Sequence, residues 1–147
     1  MPERLFQLLK KDHQEVKGIF KQLTEDGGNR EELFATLKQE LMPHMKSEEK
    51  VFYSALMDKE EVREETLESF EEHHVAELVF RELEKLPQSD ERWAAKLSVL
   101  KELVEHHVKE EERKIFKSAQ QNLDSSEIQE IMEKFEKEKE KLKQRMK

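Results

Sequence analysis

Apolar residues recur along most of this chain at intervals of three, four or seven positions, the spacing that places them on one face of a helix. The intervals predict five helices, over about residues 3–25, 30–58, 61–86, 90–123 and 124–147. Four helices of this length with short connections favour an all-α, up-down-up-down four-helix bundle. We therefore expect a bundle over residues 1–123 and an additional amphipathic C-terminal helix over 124–147, packed on the bundle or facing a partner.

Local signals mark several helix ends. The segment DGGN at 26–29 is a strong turn signal after the first helix. Asp124 and Glu127 have the spacing of a capping box, which predicts the start of the fifth helix. Pro43 lies inside the second helix, where its missing N–H predicts a kink. That kink either sets the angle of the neighbouring His44 or is a simple bend.

The composition fits a helical protein and excludes several functions. Three glycines and three prolines suit long helices with few turns, and 42% of the residues are charged. The net charge of −8 disfavours nucleic acid as a partner, because phosphate binding needs a basic surface. The absence of cysteine excludes disulfides, thiolate zinc sites and cysteine-ligated iron–sulfur clusters. No signal peptide or membrane-length apolar run is apparent, so we expect a cytoplasmic protein without a membrane partner.

Six histidines lie within the four bundle helices, and four of them fill gaps in the apolar stripes: His13, His44, His73 and His107. Each of the four is expected to point into the core. His74 and His106 each adjoin one of these histidines and are rotated from it by about 100°. We therefore expect His74 and His106 at the helix flanks, either on the surface or behind a ligand.

A glutamate follows three of the inward histidines at the fourth position: Glu48, Glu77 and Glu111. Four residues make a little more than one turn, so each pair shares a face of its helix. Burying three carboxylates without cations would cost several kcal/mol each. A divalent metal ion bound by imidazole and carboxylate removes that cost. The seven residues therefore predict a metal site, and a metal-free hydrogen-bonded network is the alternative.

The two halves of the bundle carry a weak repeat. DHQEVKGIFKQL in the first helix aligns with EHHVAELVFREL in the third, so that His13 matches His73. HMKSEEKVF in the second helix aligns with HVKEEERKI in the fourth, so that His44 matches His107. A repeat that keeps inward histidine and glutamate predicts a repeated site as well as a repeated fold.

The series DHQ, HMKSEE, EEHH and EHHVKEEERKIF resembles the hemerythrin-like, or HHE cation-binding, family over about residues 4–120. The resemblance implies a four-helix bundle with two non-heme iron ions, bridged by an oxo or hydroxo ligand and by carboxylates. Zinc and manganese are the alternative metals. By the same resemblance, ligands are expected at His13, His44, His73 and His107, and a bridging carboxylate at Glu48.

The chain departs from the oxygen carriers of that family at two positions. Where they have a second histidine on the third helix, this chain has Glu77. Where they have an aspartate on the fourth helix, it has Glu111 and Glu112. We favour Glu111 over Glu112 as the second bridge, because Glu111 repeats the spacing of Glu48 from its histidine.

A site richer in carboxylate favours the ferric state, which disfavours reversible oxygen carriage. We expect a protein that binds or responds to O2, NO or peroxide, or that handles iron. One alternative is a di-iron enzyme acting on peroxide or O2. Another is a structural module with a zinc-filled or vestigial site, in which a homo-oligomer or partner protein contacts the C-terminal helix. Tyr53, near the site, is interpreted as a packing residue, with redox chemistry as its alternative.

Overall fold

A computed structural model describes residues 3–25 and 29–146, which form five long helices, one short 3-10 helix (Glu60–Val62) and, within those ranges, no strand. The helices are α1 (Glu3–Glu25), α2 (Arg30–Ser47, continuing as Glu48–Tyr53 and Ser54–Leu56), α3 (Arg63–Lys85), α4 (Glu91–Glu110, continuing as Glu111–Ile115 and Phe116–Asn122) and α5 (Ser125–Met146). Of the turn predicted at 26–29, residues 26–28 lie outside the described residues. Asn29, which follows them, has the left-handed φ of 57° that asparagine tolerates in turns.

The long helices α2 and α4 each contain one π-helical segment. The segments begin at Glu48 and at Glu111, the two carboxylates predicted to bridge the metals. A π turn takes one more residue than an α turn, so it changes which positions face inward. As a result, the consecutive residues Phe52 and Tyr53 are both fully buried. Pro43 is buried within α2, and the helix runs on through it.

The first four helices pack as the predicted four-helix bundle, with α1 against α2 and α3 against α4. The fifth helix packs along α2 and α1. Its start confirms the predicted capping box: the backbone N–H of Glu127 donates to Asp124 (2.8 Å), and the N–H of Asp124 donates to Glu127 (3.0 Å). Within the described ranges, no helix is both long and apolar enough to cross a membrane.

The interior consists of two apolar clusters separated by a polar layer. The lower cluster is built mainly from Leu5, Leu9, Phe52, Phe116, Ile128 and Phe135. The upper cluster is built mainly from Val16, Phe20, Leu41, Phe80, Trp93 and Leu100. The buried ionisable side chains between them are Asp12, His13, His44, Glu48, His73, His107 and Glu111. The fold therefore holds these polar side chains between two apolar layers, away from bulk water.

Candidate metal centre

Four histidines and two glutamates meet in the polar layer. Ligand atoms of His13, His44, Glu48 and Glu111 all lie within 4.8 Å of one another, and so do those of Glu48, His73, His107 and Glu111. We refer to the first group as position A and to the second as position B. Glu48 and Glu111 belong to both positions, as expected of carboxylates that bridge two ions.

Each histidine turns its Nε2 atom toward one of the shared carboxylates. These distances are 3.3 Å from His13 to Glu111, 3.4 Å from His44 to Glu48, 3.3 Å from His73 to Glu48 and 3.2 Å from His107 to Glu111. Two neighbouring ligands that each lie about 2.1 Å from one ion are roughly 3 Å apart. The spacing therefore suits an ion shared by each histidine and its carboxylate.

Several buried nitrogen and oxygen atoms at the centre have no hydrogen-bond partner within the described part of the chain. The Nε2 atom of His44, one oxygen of Glu48 and one oxygen of Glu111 are buried without a hydrogen-bond partner among the described residues. Buried polar atoms are nearly always paired. Nitrogen and oxygen donors with no sulfur suit iron, manganese or zinc. The residues present therefore fit a metal group that would pair these atoms.

Each of the four central histidines also binds a second carboxylate through its Nδ1 atom. The pairs are Asp12 with His44 (2.8 Å), Glu49 with His73 (2.9 Å), Glu72 with His107 (2.6 Å) and Glu112 with His13 (2.7 Å). A carboxylate that accepts the Nδ1 proton fixes the ring orientation and leaves Nε2 free to bind metal. All four imidazoles are thus oriented with Nε2 toward the centre.

The orienting roles of Asp12, Glu49 and Glu72 were not predicted from the sequence. The internal repeat could have predicted these roles, because the orienting carboxylates occupy equivalent positions next to the predicted ligands in its two halves. Asp12 and Glu72 each precede the inward histidine of their helix, and Glu49 and Glu112 each follow a shared glutamate. The repeat thus extends to the residues that orient the ligands.

Glu111 and Glu112, the two candidates for the second bridging carboxylate, lie in different places in the structure. Glu111 lies at the centre, while Glu112 binds the outer nitrogen of His13. His74 and His106 are exposed on the surface.

The expectation that Glu77 joins the centre needs correction. Its carboxylate accepts from Lys46 (2.7 Å) and from Arg81 (2.7 Å), and it belongs to neither position. The inward stripe of α3 continues from His73 to Ala76 and then to Phe80, all buried. The step after His73 is thus three residues, whereas α2 and α4 step by four. Glu77 is therefore rotated away from the centre.

The hydroxyl group of Tyr53 is also part of the centre. It donates to Glu111 and lies 3.0 Å from Nε2 of His107 and 3.3 Å from Glu48. In the repeat, Tyr53 corresponds to Phe116, which stacks beside His13 with ring centroids 6.2 Å apart. Position B therefore has a phenol oxygen where position A has an apolar ring, and the two positions are chemically different.

The carboxylates give the metal-free centre a strong affinity for protons. Burial disfavours a charged imidazole, but Glu48 and Asp12 outweigh burial and raise the pKa of His44 to about 10. Burial likewise opposes charging of His107, yet Glu111 and Glu72 raise its pKa to about 10. Metal binding requires neutral imidazole, so ions must displace these protons.

A small cavity adjoins the ligands on the side of the upper cluster. Its volume is about 20 Å³, and its apolar wall includes Val16, Leu41, Met45, Ala76 and Val104. A cavity of this size holds about one water-sized molecule. An open groove of about 320 Å³ between α1 and α4 shares several wall residues with it: His13, Val16, Val104 and Val108. The groove thus extends from the surface to residues that also line the cavity.

Comparison with known proteins identifies a family for most of the chain. The family model described as the hemerythrin HHE cation binding domain matches residues 4–119. The match confirms the resemblance inferred from the histidine and glutamate motifs. Neither the search of curated proteins nor the search of solved structures gave a match.

Proposed function

Since this chain belongs to the hemerythrin family of HHE cation-binding domains, we propose that its buried cluster holds two non-heme iron ions, one at position A and one at position B. Glu48 and Glu111 would be ligands common to both ions, and an oxo or hydroxo ligand would complete the group. The bound irons supply a redox-active Lewis-acid centre for a small molecule such as O2, NO or peroxide. The sharing of Glu48 and Glu111 between two four-residue ligand groups is the observation that carries this proposal.

The number of donors leaves room for a small molecule to bind. Two six-coordinate ions form about 12 bonds. Four histidines, two bridging carboxylates and one bridging oxygen supply about ten of these. Because Glu77 pairs with Lys46 and Arg81 instead, about two bonds remain. The Tyr53 hydroxyl lies close enough to position B to take one, which leaves at least one for a small molecule.

The size and polarity of the cavity restrict what that molecule is. A cavity of about 20 Å³ with an apolar wall holds about one water-sized molecule, which favours the smallest ligands and excludes organic substrates. With Glu77 outside the centre, four histidines and two carboxylates of the described residues remain as donors, which is one imidazole fewer than in the oxygen carriers of the family. We therefore propose a centre that reacts with or responds to its ligand, or stores iron, in place of a reversible oxygen carrier.

The decisive experiment is metal analysis followed by spectroscopy. Protein loaded anaerobically with ferrous iron should contain about two irons per chain by elemental analysis. Mössbauer and optical spectra recorded before and after O2 should show conversion to a ferric pair. A stable oxy spectrum that reverses under vacuum would contradict the reactive centre. Preferential retention of zinc, or fewer than two ions, would contradict the di-iron proposal and favour a structural module.

A second candidate function is breakdown of peroxide. The observation that favours it is the Tyr53 hydroxyl, a proton donor beside Glu111 and His107 at the centre. Burial and the charges of Glu111 and Glu48 raise the pKa of Tyr53 well above its usual range, so the phenol keeps its proton in the metal-free chain.

Replacing Tyr53 by phenylalanine tests this candidate. We expect iron-loaded wild-type protein to convert hydrogen peroxide to water and O2, with the Y53F rate lower by about 100-fold at equal iron content. Oxygen evolution measured with an electrode gives both rates. An unchanged rate in Y53F would assign Tyr53 to packing, and no turnover by the wild type would exclude the enzyme.

Replacing Ala76 by valine should close the cavity while leaving the ions bound. Valine adds two methyl groups to the wall of a space of about 20 Å³. Selectivity in an apolar pocket changes by about tenfold or more for each added carbon. We expect azide to bind the ferric protein at least about tenfold more weakly in A76V, as measured by optical titration.

The control for A76V is Ala95→Val, which makes the same change at an exposed position of α4. It should bind azide as the wild type does. Equal loss in both variants would mean that helix stability, and not the cavity, controls access.

A further inference from the structure

The fifth helix lies beyond the matched family domain, yet it forms one wall of the centre. The family match ends at residue 119, whereas α5 spans Ser125–Met146. The first half of α5 buries Ile128, Ile131, Met132 and Phe135 in the lower cluster. The second half is mainly lysine and glutamate, and its lysines contact α1 and α2.

Two residues of α5 reach the histidine of α2. The ring of Phe135, fully buried, meets the ring of His44 edge-on, with centroids 5.7 Å apart. The Nζ atom of Lys139 donates to one oxygen of Asp12 at 2.5 Å, and the other Asp12 oxygen accepts from Nδ1 of His44 at 2.8 Å. Lys139 and Phe135, which we name the α5 clamp, thus hold His44 from two sides.

The other three histidines lack such a clamp. The side chain of Asp12 is only 6% exposed, whereas those of the other orienting carboxylates, Glu49, Glu72 and Glu112, are 22%, 27% and 28% exposed. The nearest cation to any of those three, within the described ranges, is Lys46, 3.9 Å from Glu49. Water can solvate three of the carboxylates, whereas Asp12 depends on Lys139 for its second partner.

We propose that Lys139 and Phe135 are positioning residues for His44, so that the docking of α5 and the binding of metal at position A stabilise each other. The inference rests on the two-metal function proposed above. It assigns to the region outside the family domain a direct part in the metal centre. The α5 clamp contacts His44 and its orienting carboxylate, whereas Glu49 and Glu72 orient the histidines of position B, so we expect the clamp to act mainly on position A.

The physical reason lies in the buried carboxylate. With Lys139 removed, Asp12 keeps its charge in an apolar surrounding with one oxygen unpaired, which is costly. Asp12 then rotates toward water, and this rotation loosens its bond to His44. Loss of an orienting partner typically weakens metal binding by about 10- to 100-fold. Because coupling between two binding events is reciprocal, metal at position A should in turn tighten the docking of α5.

The test compares Lys139→Met with Lys143→Met. Lys143 lies one turn further along α5 and pairs with Glu40 at 3.1 Å, so K143M also removes one ion pair from the same helix. Stepwise affinities for Co²⁺ are measured by competition with a chromophoric chelator. We expect K139M to weaken one of the two ions by about 10- to 100-fold and the other by less than about threefold. K143M should leave both affinities within about threefold of the wild type.

A second variant and a second measurement keep the proposal falsifiable if K139M folds poorly. Phe135→Leu retains an apolar side chain in the lower cluster but removes the ring from His44, and it should weaken the same ion. In the wild type, metal should slow hydrogen exchange of the amides of α5 around residues 135–143, as followed by mass spectrometry. In K139M the metal should have little effect on that exchange.

The possible results distinguish failure of the clamp from failure of the two-metal function. Equal affinities in K139M and K143M, or equal weakening of both ions, would overturn the clamp and leave the two-metal function standing. A wild-type chain that binds a single ion would overturn the two-metal function. The affinities of K139M and K143M for that ion would still show whether Lys139 positions a metal ligand. A wild-type chain that binds no ion would overturn both.

Discussion

Replacing Glu48 by glutamine should remove both metal ions from the chain, whereas replacing Glu77 by glutamine should leave both in place. Glu48 belongs to both positions and is fully buried, so its charge acts on both ions. Glutamine keeps the size of the side chain but supplies one neutral oxygen donor. We expect affinity to fall by at least about 100-fold for each ion, since an inner ligand should matter at least as much as its orienting partner.

Metal content after gel filtration gives the answer directly. Glu77→Gln is the matched control, because both substitutions remove one carboxylate four residues after an inward histidine. Glu77 pairs with Lys46 and Arg81 outside the centre, so its loss should alter only two partly exposed ion pairs. One tightly held ion in E48Q would show that Glu48 does not bridge. Loss of an ion in E77Q would restore Glu77 to the ligand set.

The contrast between Glu48 and Glu77 shows what the sequence pattern can and cannot predict. The apolar stripes located the four inward histidines because a polar residue in an otherwise apolar series is conspicuous. The spacing of four residues between histidine and glutamate is a weaker predictor of which glutamates point inward. A helix has 3.6 residues per turn, so an inward stripe alternates between steps of three and four. After His73 the step is three, and Ala76 takes the inward place.

The π segments mark a second limit of the pattern. Helical periodicity assumes a constant rotation per residue, and a local widening breaks that assumption without a signature in the apolar series. The π segment of α2 turns Tyr53 inward together with Phe52, which brings a hydroxyl group to the centre. Sequence analysis placed Tyr53 near the site but favoured a packing role for it.

The contribution of α5 was beyond sequence analysis for a different reason. The contact between Lys139 and Asp12 joins residues 127 positions apart, and lysines are frequent in α5. Nothing in the local pattern distinguishes Lys139 from its neighbours. The family domain ends before α5, so the resemblance carried no information on that helix. Only the packing of α5 along α1 and α2 singles out this lysine.

The metal-free and metal-loaded proteins should respond to pH in opposite directions. His44 and His107 have a pKa of about 10 in the folded metal-free chain, against an ordinary value of 6.5. Groups with a raised folded pKa contribute stability that is fully present below 6.5 and is lost as pH rises through about 10. The free energy of unfolding without metal should therefore fall across this range, by roughly 1 kcal/mol per pH unit for each group.

In the metal-loaded protein, the free energy of unfolding should rise with pH, because metal ions and protons compete for the same imidazoles. As pH rises through this window, less proton displacement is needed and metal affinity increases. Urea unfolding at pH values from 6.5 to 9.5, with chelator and with excess metal, measures both slopes. His107→Gln should flatten the metal-free slope, whereas His106→Gln, an exposed neighbour, should not. A metal-free slope of the same steepness in H107Q and H106Q would mean that the central histidines are not the groups that hold the protons.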